Sequence, residues 1–354
     1  MEAFNEGEGH SKRNLIGYGP SSAPRFTWPN GARVCISFVL NYEEGAENTR
    51  LNDGSGNSPS RGVARDEPDK YAESFLTENG VTPTVLPPLA DRELSRESTY
   101  AYGSRVGFWR ILAAFKASEL RFTSWACGKA VELNPDVVPA MEAAGCEVAS
   151  HGYRWINYAN VPEASEREHI SKSIDVLAAA SPTHRVPMGW YTGRCSTNTR
   201  RLVHEEYTRR GLAERYYDND SYDDDLPYYI RQGGSTPVLV LPYTLDVNDM
   251  KFAIAPGFST ADHFYSYAAS ALETLLLEAY GEDSSTSASS QGKSAMMTIG
   301  LHCRIIGRPG RFSGLRRLLQ ECQQLQAAGK VWVATRSDIA DFWRSTFPPQ
   351  SHPA

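Results

Sequence analysis

Ser150-His151-Gly152-Tyr153-Arg154-Trp155-Ile156-Asn157-Tyr158 is the stretch on which the reading of this chain turns. Just before it, Ala144-Gly145-Cys146-Glu147-Val148-Ala149 reads as a helix end followed by a short buried strand. A histidine at the mouth of such a strand sits where α/β barrels keep their active sites, on the C-terminal face of the sheet. A second histidine four residues on would complete a compact metal-binding pair. That position holds Trp155, whose indole nitrogen only donates and cannot ligate a cation. The stretch is therefore a metal motif short of a ligand.

Outward from it, strand and helix patterns alternate. Arg33 to Leu40 is nearly continuous in its apolar run, as a strand buried on both faces should be, and it ends in Asn41-Tyr42-Glu43-Glu44-Gly45. Further strands are read at Arg121–Ala126, Tyr216–Asp218, Leu239–Tyr243, Ala295–His302 and Val331–Ala334, and a strand and turn at Pro187–Arg194. Helical spacing places helices over 102–115, 135–144, 163–180, 198–207, 261–280, 312–328 and 337–347. The helix at 163 carries Glu163, Glu166 and Glu168 in its first turns, where the helix dipole favours acids. This alternation predicts parallel strands joined by right-handed crossovers. It predicts one irregular (β/α) barrel over residues 1–354, with an N-terminal arm at 1–25, a rim insertion at 46–97 and a low-complexity surface loop at 281–294.

Composition narrows the function. Of the 354 residues, 41% are hydrophobic and 22% charged, ordinary for a soluble globular protein. A net charge of -6 gives no basis for a nucleic-acid partner. No apolar run approaches the roughly 20 residues that span a bilayer, so no membrane partner is expected. The acidic start, Met1-Glu2-Ala3-Phe4-Asn5-Glu6, does not read as a secretory signal. Cys35, Cys127, Cys146, Cys195, Cys303 and Cys322 are widely spaced and mostly in apolar contexts, which suits reduced thiols and a cytoplasmic location.

The polar strand ends are Glu43-Glu44, His151, Tyr191 with Arg194, Asp220 with Asp225, Asp246 with Asp249, and His302 with Arg304. Any one alone reads equally well as a satisfied buried polar group or a surface charge. In a barrel they converge on one pocket.

The order of these motifs resembles the polysaccharide deacetylase (NodB-homology) superfamily, which has an Asp pair after the first strand, an H-S/T-x-x-x-H motif, and a late Leu-His. Glu43-Glu44, His151 and Gly300-Leu301-His302 fall at the matching places. The Asp-His-His metal triad of that family has become Glu44-His151-Trp155. That replacement, together with N-Y-E-E-G, S-H-G-Y-R-W, G-W-Y-T-G-R, D-D-L-P-Y, Y-T-L-D-V-N-D-M and G-L-H-C-R-x-x-G-R-P-G-R, resembles the metal-independent allantoinase branch, over roughly residues 14–347. The resemblance implies a NodB-like barrel, hydrolysis of a cyclic ureide, no cofactor, no metal, and a homo-oligomer. It implies Glu43 as general base and His302 as general acid. His151 and Glu44 would hold water and substrate, Trp155 would shape the pocket, and Tyr191, Arg194 and Arg304 would contact the substrate. Adjacent carboxylates cannot be told apart by sequence, so Glu43 and Glu44 remain exchangeable. Burial beside Glu44 is expected to raise the pKa of Glu43.

The altered triad has a chemical logic. A zinc site needs three or four N, O or S ligands, and Glu44 with His151 are too few. Without a Lewis acid a sugar N-acetyl amide is a sluggish electrophile, whereas a hydantoin ring offers an activated imide-like carbonyl and a better leaving nitrogen. The rival readings are a hydrolase of another cyclic ureide or imide, a metal-dependent amino-sugar deacetylase, and a non-catalytic barrel. Cys195 reads as a structural thiol, because no histidine base stands beside it in sequence.

Overall fold

The structure, a computed structural model, describes residues 4–5, 14–19, 23–47, 94–231, 236–281 and 292–349. Its strands are β1 (Val34–Tyr42), β2 (Phe122–Ala126), β3 (Glu147–Ser150), β4 (Gly189–Trp190), β5 (Tyr217–Asp218), β6 (Tyr228–Arg231), β7 (Val238–Val240), β8 (Ala295–His302) and β9 (Val331–Val333). They form one curled sheet in the order β6-β7-β5-β4-β3-β2-β1, with β8 along the other side of β1 and β9 against its first residues. A short strand, Phe4–Asn5, adds to β6. Every pairing is parallel except β6 with β7. This is the predicted α/β architecture, a parallel-rich sheet curled toward an irregular barrel of the NodB-like type. Between β7 and β8 an irregular segment takes the place of a ladder. Leu241 N–H donates to Asp218 O at 2.8 Å, Gly300 N–H to Val247 O at 2.9 Å, and Asn248 bridges to Gly300.

β1 is the axis of the packing because its two sets of side chains serve two cores. Val34, Ile36, Phe38, Leu40 and Tyr42 join the large outer core with Phe108, Phe115 and Leu315. Cys35 and Val39 face the inside of the curl, with Tyr217 and Leu239 at one level and Trp125, Tyr191 and Tyr243 above them. All nine residues are buried, which accounts for the nearly continuous apolar run, broken by Ser37 and Asn41.

The helices are α1 (Leu94–Tyr102), α2 (Phe108–Ala117), α3 (Gly128–Leu133), α4 (Val137–Ala143), α5 (Glu163–Ala180), α6 (Thr199–Arg209), α7 (Ala261–Tyr280), α8 (Pro309–Ala327) and α9 (Arg336–Thr346). A π-helical turn, Gly103–Gly107, joins α1 to α2. α5, α7 and β8 coincide with the sequence reading. α9 begins with a capping box, the Thr335 hydroxyl accepting from Asp338 N–H while the Asp338 carboxylate accepts from Thr335 N–H.

Three expectations need correction or placement. Of the rim insertion read at 46–97, residues 46–47 and 94–97 are described, the latter as the first turn of α1, and residues 48–93 lie outside the described residues. The sequence Leu94-Ser95-Arg96-Glu97-Ser98-Thr99-Tyr100 lacks an apolar stripe, so periodicity did not mark it as helix. Of the arm and the surface loop, the described parts are 14–19 with 23–25, and 281 with 292–294. Tyr18 donates its hydroxyl to Pro227 O, which ties the arm to the sheet. Among the described residues no helix is long and apolar enough to cross a membrane.

Candidate active site

Parallel pairing brings the polar residues to one level. Asn41 is in register with His302, Tyr42 with Ala126, Ala126 with Ser150, Ser150 with Trp190, and Trp190 with Asp218. The residues just past these positions are Glu43, His151, Tyr191 and Arg304. The same edge of the sheet therefore gathers them whatever their distance in sequence.

Glu43 is the hub. Its Oε1 lies 3.2 Å from Nε2 of His151 and 3.6 Å from Nε2 of His302. Its Oε2 accepts from Nη1 of Arg304 at 2.7 Å. Glu43, His151, His302 and Arg304 are all at most 2% exposed, so these contacts act in a low dielectric and are barely screened. Burial pushes the Glu43 carboxyl up, but Arg304, His302 and His151 outweigh it and hold Glu43 well below the usual carboxylate range.

Each imidazole is oriented from behind. His151 Nδ1 faces Tyr191 O at 2.9 Å; a carbonyl only accepts, so Nδ1 carries a proton and Nε2 is turned to Glu43. His302 Nδ1 lies 2.6 Å from Oδ1 of Asp249, whose other oxygen accepts the N–H of His302 at 2.8 Å and of Ile306 at 3.1 Å. Burial works against a charged His302, but Asp249 and Glu43 outweigh it and raise its pKa.

Glu44 behaves differently from its neighbour. Its Oε2 accepts Glu43 N–H at 3.0 Å, and its Oε1 stands where a Cβ on Gly103 would fall, with Arg304 3.9 Å away. It turns away from the imidazoles toward the π-helical turn. Burial pushes its carboxyl up; Arg304 opposes this, the adjacent Glu43 charge adds to it, and the result is about 7. The raised carboxyl is thus Glu44 and the depressed one Glu43. This reverses the expected shift, because Glu43 has gathered the cations and left Glu44 the burial.

Aromatic rings and guanidinium groups form the wall. Arg194 stacks over Trp155 at 3.9 Å, and Arg304 lies 4.2 Å over Tyr100 and 5.3 Å from Trp155; cation–π contacts of this kind are worth about 0.5–2 kcal/mol each. Tyr191 stacks on Trp125 at 3.9 Å and on His151 at 5.1 Å. The late glycine motif serves the same site. Gly107 of the π-helical turn and Gly307 approach so closely that a Cβ on either would overlap the carbonyl of Cys303. This contact seats α1, with Tyr100, against the turn that carries Arg304.

The donors that the family's metal would need do not fit one. Trp155, which the resemblance sets at the third ligand's place, is tied by its backbone instead, its N–H donating to Ala46 O at 2.9 Å and its strand bridge running to Glu47. His151 uses both nitrogens, and Glu44 faces the π-helical turn. Among the described residues no three His, Cys, Asp or Glu side chains group to hold a metal ion.

Asp249 is the residue whose role sequence reasoning missed. It stood among the polar strand ends, in the segment Val247-Asn248-Asp249-Met250, but only the bridge of Asn248 to Gly300 reveals that it lies behind His302. Asp220 is structural, accepting the N–H groups of Thr192 and Gly193 at 2.8 and 2.7 Å. Asp225 accepts Met296 N–H through its backbone, Asp246 bonds Tyr267 and Lys251, and Cys195 is exposed.

The family model described as polysaccharide deacetylase matches residues 95–207. A Schizosaccharomyces pombe protein, provisionally named polysaccharide deacetylase, is 45% identical over 96% of this chain and 99% of its own length. Among solved structures, Puue allantoinase is similar at 41% identity and a TM-score of 0.79, covering 96% of this chain and 99% of its own. A Pseudomonas aeruginosa PAO1 structure, also provisionally named polysaccharide deacetylase, is similar at 41% identity and a TM-score of 0.78, with 96% and 99% covered.

Proposed function

The chain belongs to the polysaccharide deacetylase (NodB-homology) family of hydrolases, and from that premise we propose that it opens the hydantoin ring of allantoin, giving allantoate, without a metal. The observation that carries this reading is the position of Glu43, its Oε1 turned to both imidazoles while Arg304 holds Oε2. The similarity to an allantoinase structure supports the choice of ring.

In this reading a water enters between Glu43 Oε1 and the ring carbonyl. Glu43 takes the water's proton as oxygen adds to the carbonyl carbon, and Arg194 donates to the carbonyl oxygen as it gains charge. The C–N bond then breaks, and His302 protonates the leaving nitrogen. Asp249 fixes His302 in the tautomer that presents Nε2, the role a buried carboxylate plays behind a catalytic histidine. His151, held by Tyr191 O, positions the water. Glu43 is a weak base in the resting site. That weakness is tolerable against an imide-like carbonyl and a delocalised leaving ureide.

The test incubates the protein with racemic allantoin, hydantoin, dihydrouracil, succinimide and N-acetylglucosamine oligomers, with and without chelator. Ring opening releases acid, which reports it directly. Metal-free opening of allantoin, faster than of hydantoin, is the expected outcome. Faster opening of succinimide or dihydrouracil would favour a broader cyclic-imide hydrolase. Acetate release lost on chelation would restore the deacetylase chemistry.

A further inference from the structure

Tyr222 is an aromatic side chain held in the open. It lies on the loop between β5 and β6 and is 49% exposed. The loop is pinned on both sides of it. Before it, Asp220 accepts the N–H groups of Thr192 and Gly193; after it, Asp223 accepts the Tyr228 hydroxyl at 2.9 Å. Ser221 O accepts Tyr243 N–H at 2.8 Å. A rigid ring kept partly in water, with a polar tip, is what aromatic contact residues offer a ligand at little entropic cost.

Its position relates it to the chemistry. The Tyr222 hydroxyl lies 3.0 Å from that of Tyr191, and the Tyr191 ring stacks on His151 at 5.1 Å. Tyr222 therefore stands one hydroxyl outward from a central imidazole. Two phenols bonded to each other use one donor and one acceptor, leaving one donor and several lone pairs. That remainder matches a urea-like group, which presents a carbonyl and N–H donors together. Charge adds a second criterion. Loss of hydration pushes both phenols further toward their neutral form; at Tyr191 the neighbouring Tyr222 and Tyr243 add to it, and at Tyr222 the acids Asp220 and Asp218 do. The same acids would repel a carboxylate.

We infer that Tyr222 and Tyr191 together read a neutral, hydrogen-bonding tail on the ring substrate, which makes Tyr222 a specificity residue. This rests on the ring-opening reading above. It goes further by naming the side chains that tell allantoin, with its ureido tail, from rings that lack it.

The experiment measures kcat/KM for allantoin, hydantoin, and hydantoin bearing a carboxymethyl group at the same ring carbon. It uses the full chain, Tyr222→Phe and Tyr222→Ala, with thermal melting to confirm folding. The parent protein is expected to prefer allantoin over both analogues. Tyr222→Phe should lower the allantoin-to-hydantoin ratio about tenfold, mostly through KM, because a site built to bond a polar tail loses a partner. Tyr222→Ala should lower it at least as much. A ratio unchanged within about twofold in folded Tyr222→Phe, or a parent preference for the carboxymethyl ring, would overturn the inference alone. Failure of the parent to open either allantoin or hydantoin would overturn the ring-opening reading and this inference with it.

Discussion

His302 and Asp249 are joined twice, ring to carboxylate at 2.6 Å and backbone N–H to carboxylate at 2.8 Å, and neither side chain meets solvent. The double attachment fixes both the tautomer and the tilt of the imidazole, and it makes Asp249 the main charge sustaining the proton on His302. The folded site raises the His302 pKa, so the protonated form persists above the ordinary histidine range and is lost as pH rises through the raised value. If protonated His302 is the acid, kcat should fall on that alkaline side. Asp249→Asn should lower kcat by about 10²-fold or more and move the alkaline limb to lower pH. A pH–rate profile whose limb stays in place would show that Asp249 only supports the fold.

The adjacent carboxylates separate by mutation. Glu43→Gln and His302→Ala should each reduce kcat roughly 10²–10⁴-fold, the scale of losing a general acid or base. Glu44→Gln should stay within about tenfold of the parent, because its carboxyl faces Gly103 rather than the imidazoles. Steady-state kinetics on allantoin decides this, and equal losses at both glutamates would sink the assignment of one base.

Stability should carry the same split. Glu44 has a folded pKa near 7, above its unfolded value, so folding binds a proton there. Stability from this group is therefore greatest in mild acid and declines as pH rises from the ordinary carboxyl range to about 7. Glu44→Gln removes that decline. Its melting temperature should exceed the parent's by roughly several degrees at pH 8 and match it near pH 5. Glu43, depressed on folding, acts in the opposite sense, its contribution being lost in strong acid. Melting curves across that range check both, and a Glu44→Gln gain independent of pH would contradict the placement of its proton.

Metal dependence is open to direct measurement. The purified protein should contain substoichiometric transition metal, and allantoin opening should survive prolonged chelation. Stoichiometric zinc required for turnover would refute the reading of Trp155 as a lost ligand.

How far the chain was legible depends on where burial was two-sided. β8 and β1 are buried throughout and mostly apolar because helices cover one face and the barrel interior the other, and both stood out in sequence. β4 keeps only two residues, Gly189–Trp190, of the stretch read as a strand and turn, where aromatic turn residues share strand composition. β6 was missed: Tyr228-Tyr229-Ile230-Arg231 follows an acidic loop and pairs antiparallel, outside the β–α alternation used to find strands. In the site, residue types at strand ends pointed to Glu43, His151, His302 and Arg304, which the sheet register brings together. The partition of charge between Glu43 and Glu44 was hidden. It depends on Arg304, more than 250 positions away, bonding the Glu43 carboxylate at 2.7 Å while standing 3.9 Å from that of Glu44.

Trp155 is more than an absent histidine. Its backbone holds the end of the β1 loop through Ala46 and Glu47, and its ring carries Arg194 while Arg304 stands nearby. Restoring an imidazole there would leave Arg194 without the ring it stacks on and would still find Glu44 facing the wrong way. The tryptophan thus works as a keystone: it joins the end of the β1 loop to the guanidinium wall, so a change at this one position would disturb both at once.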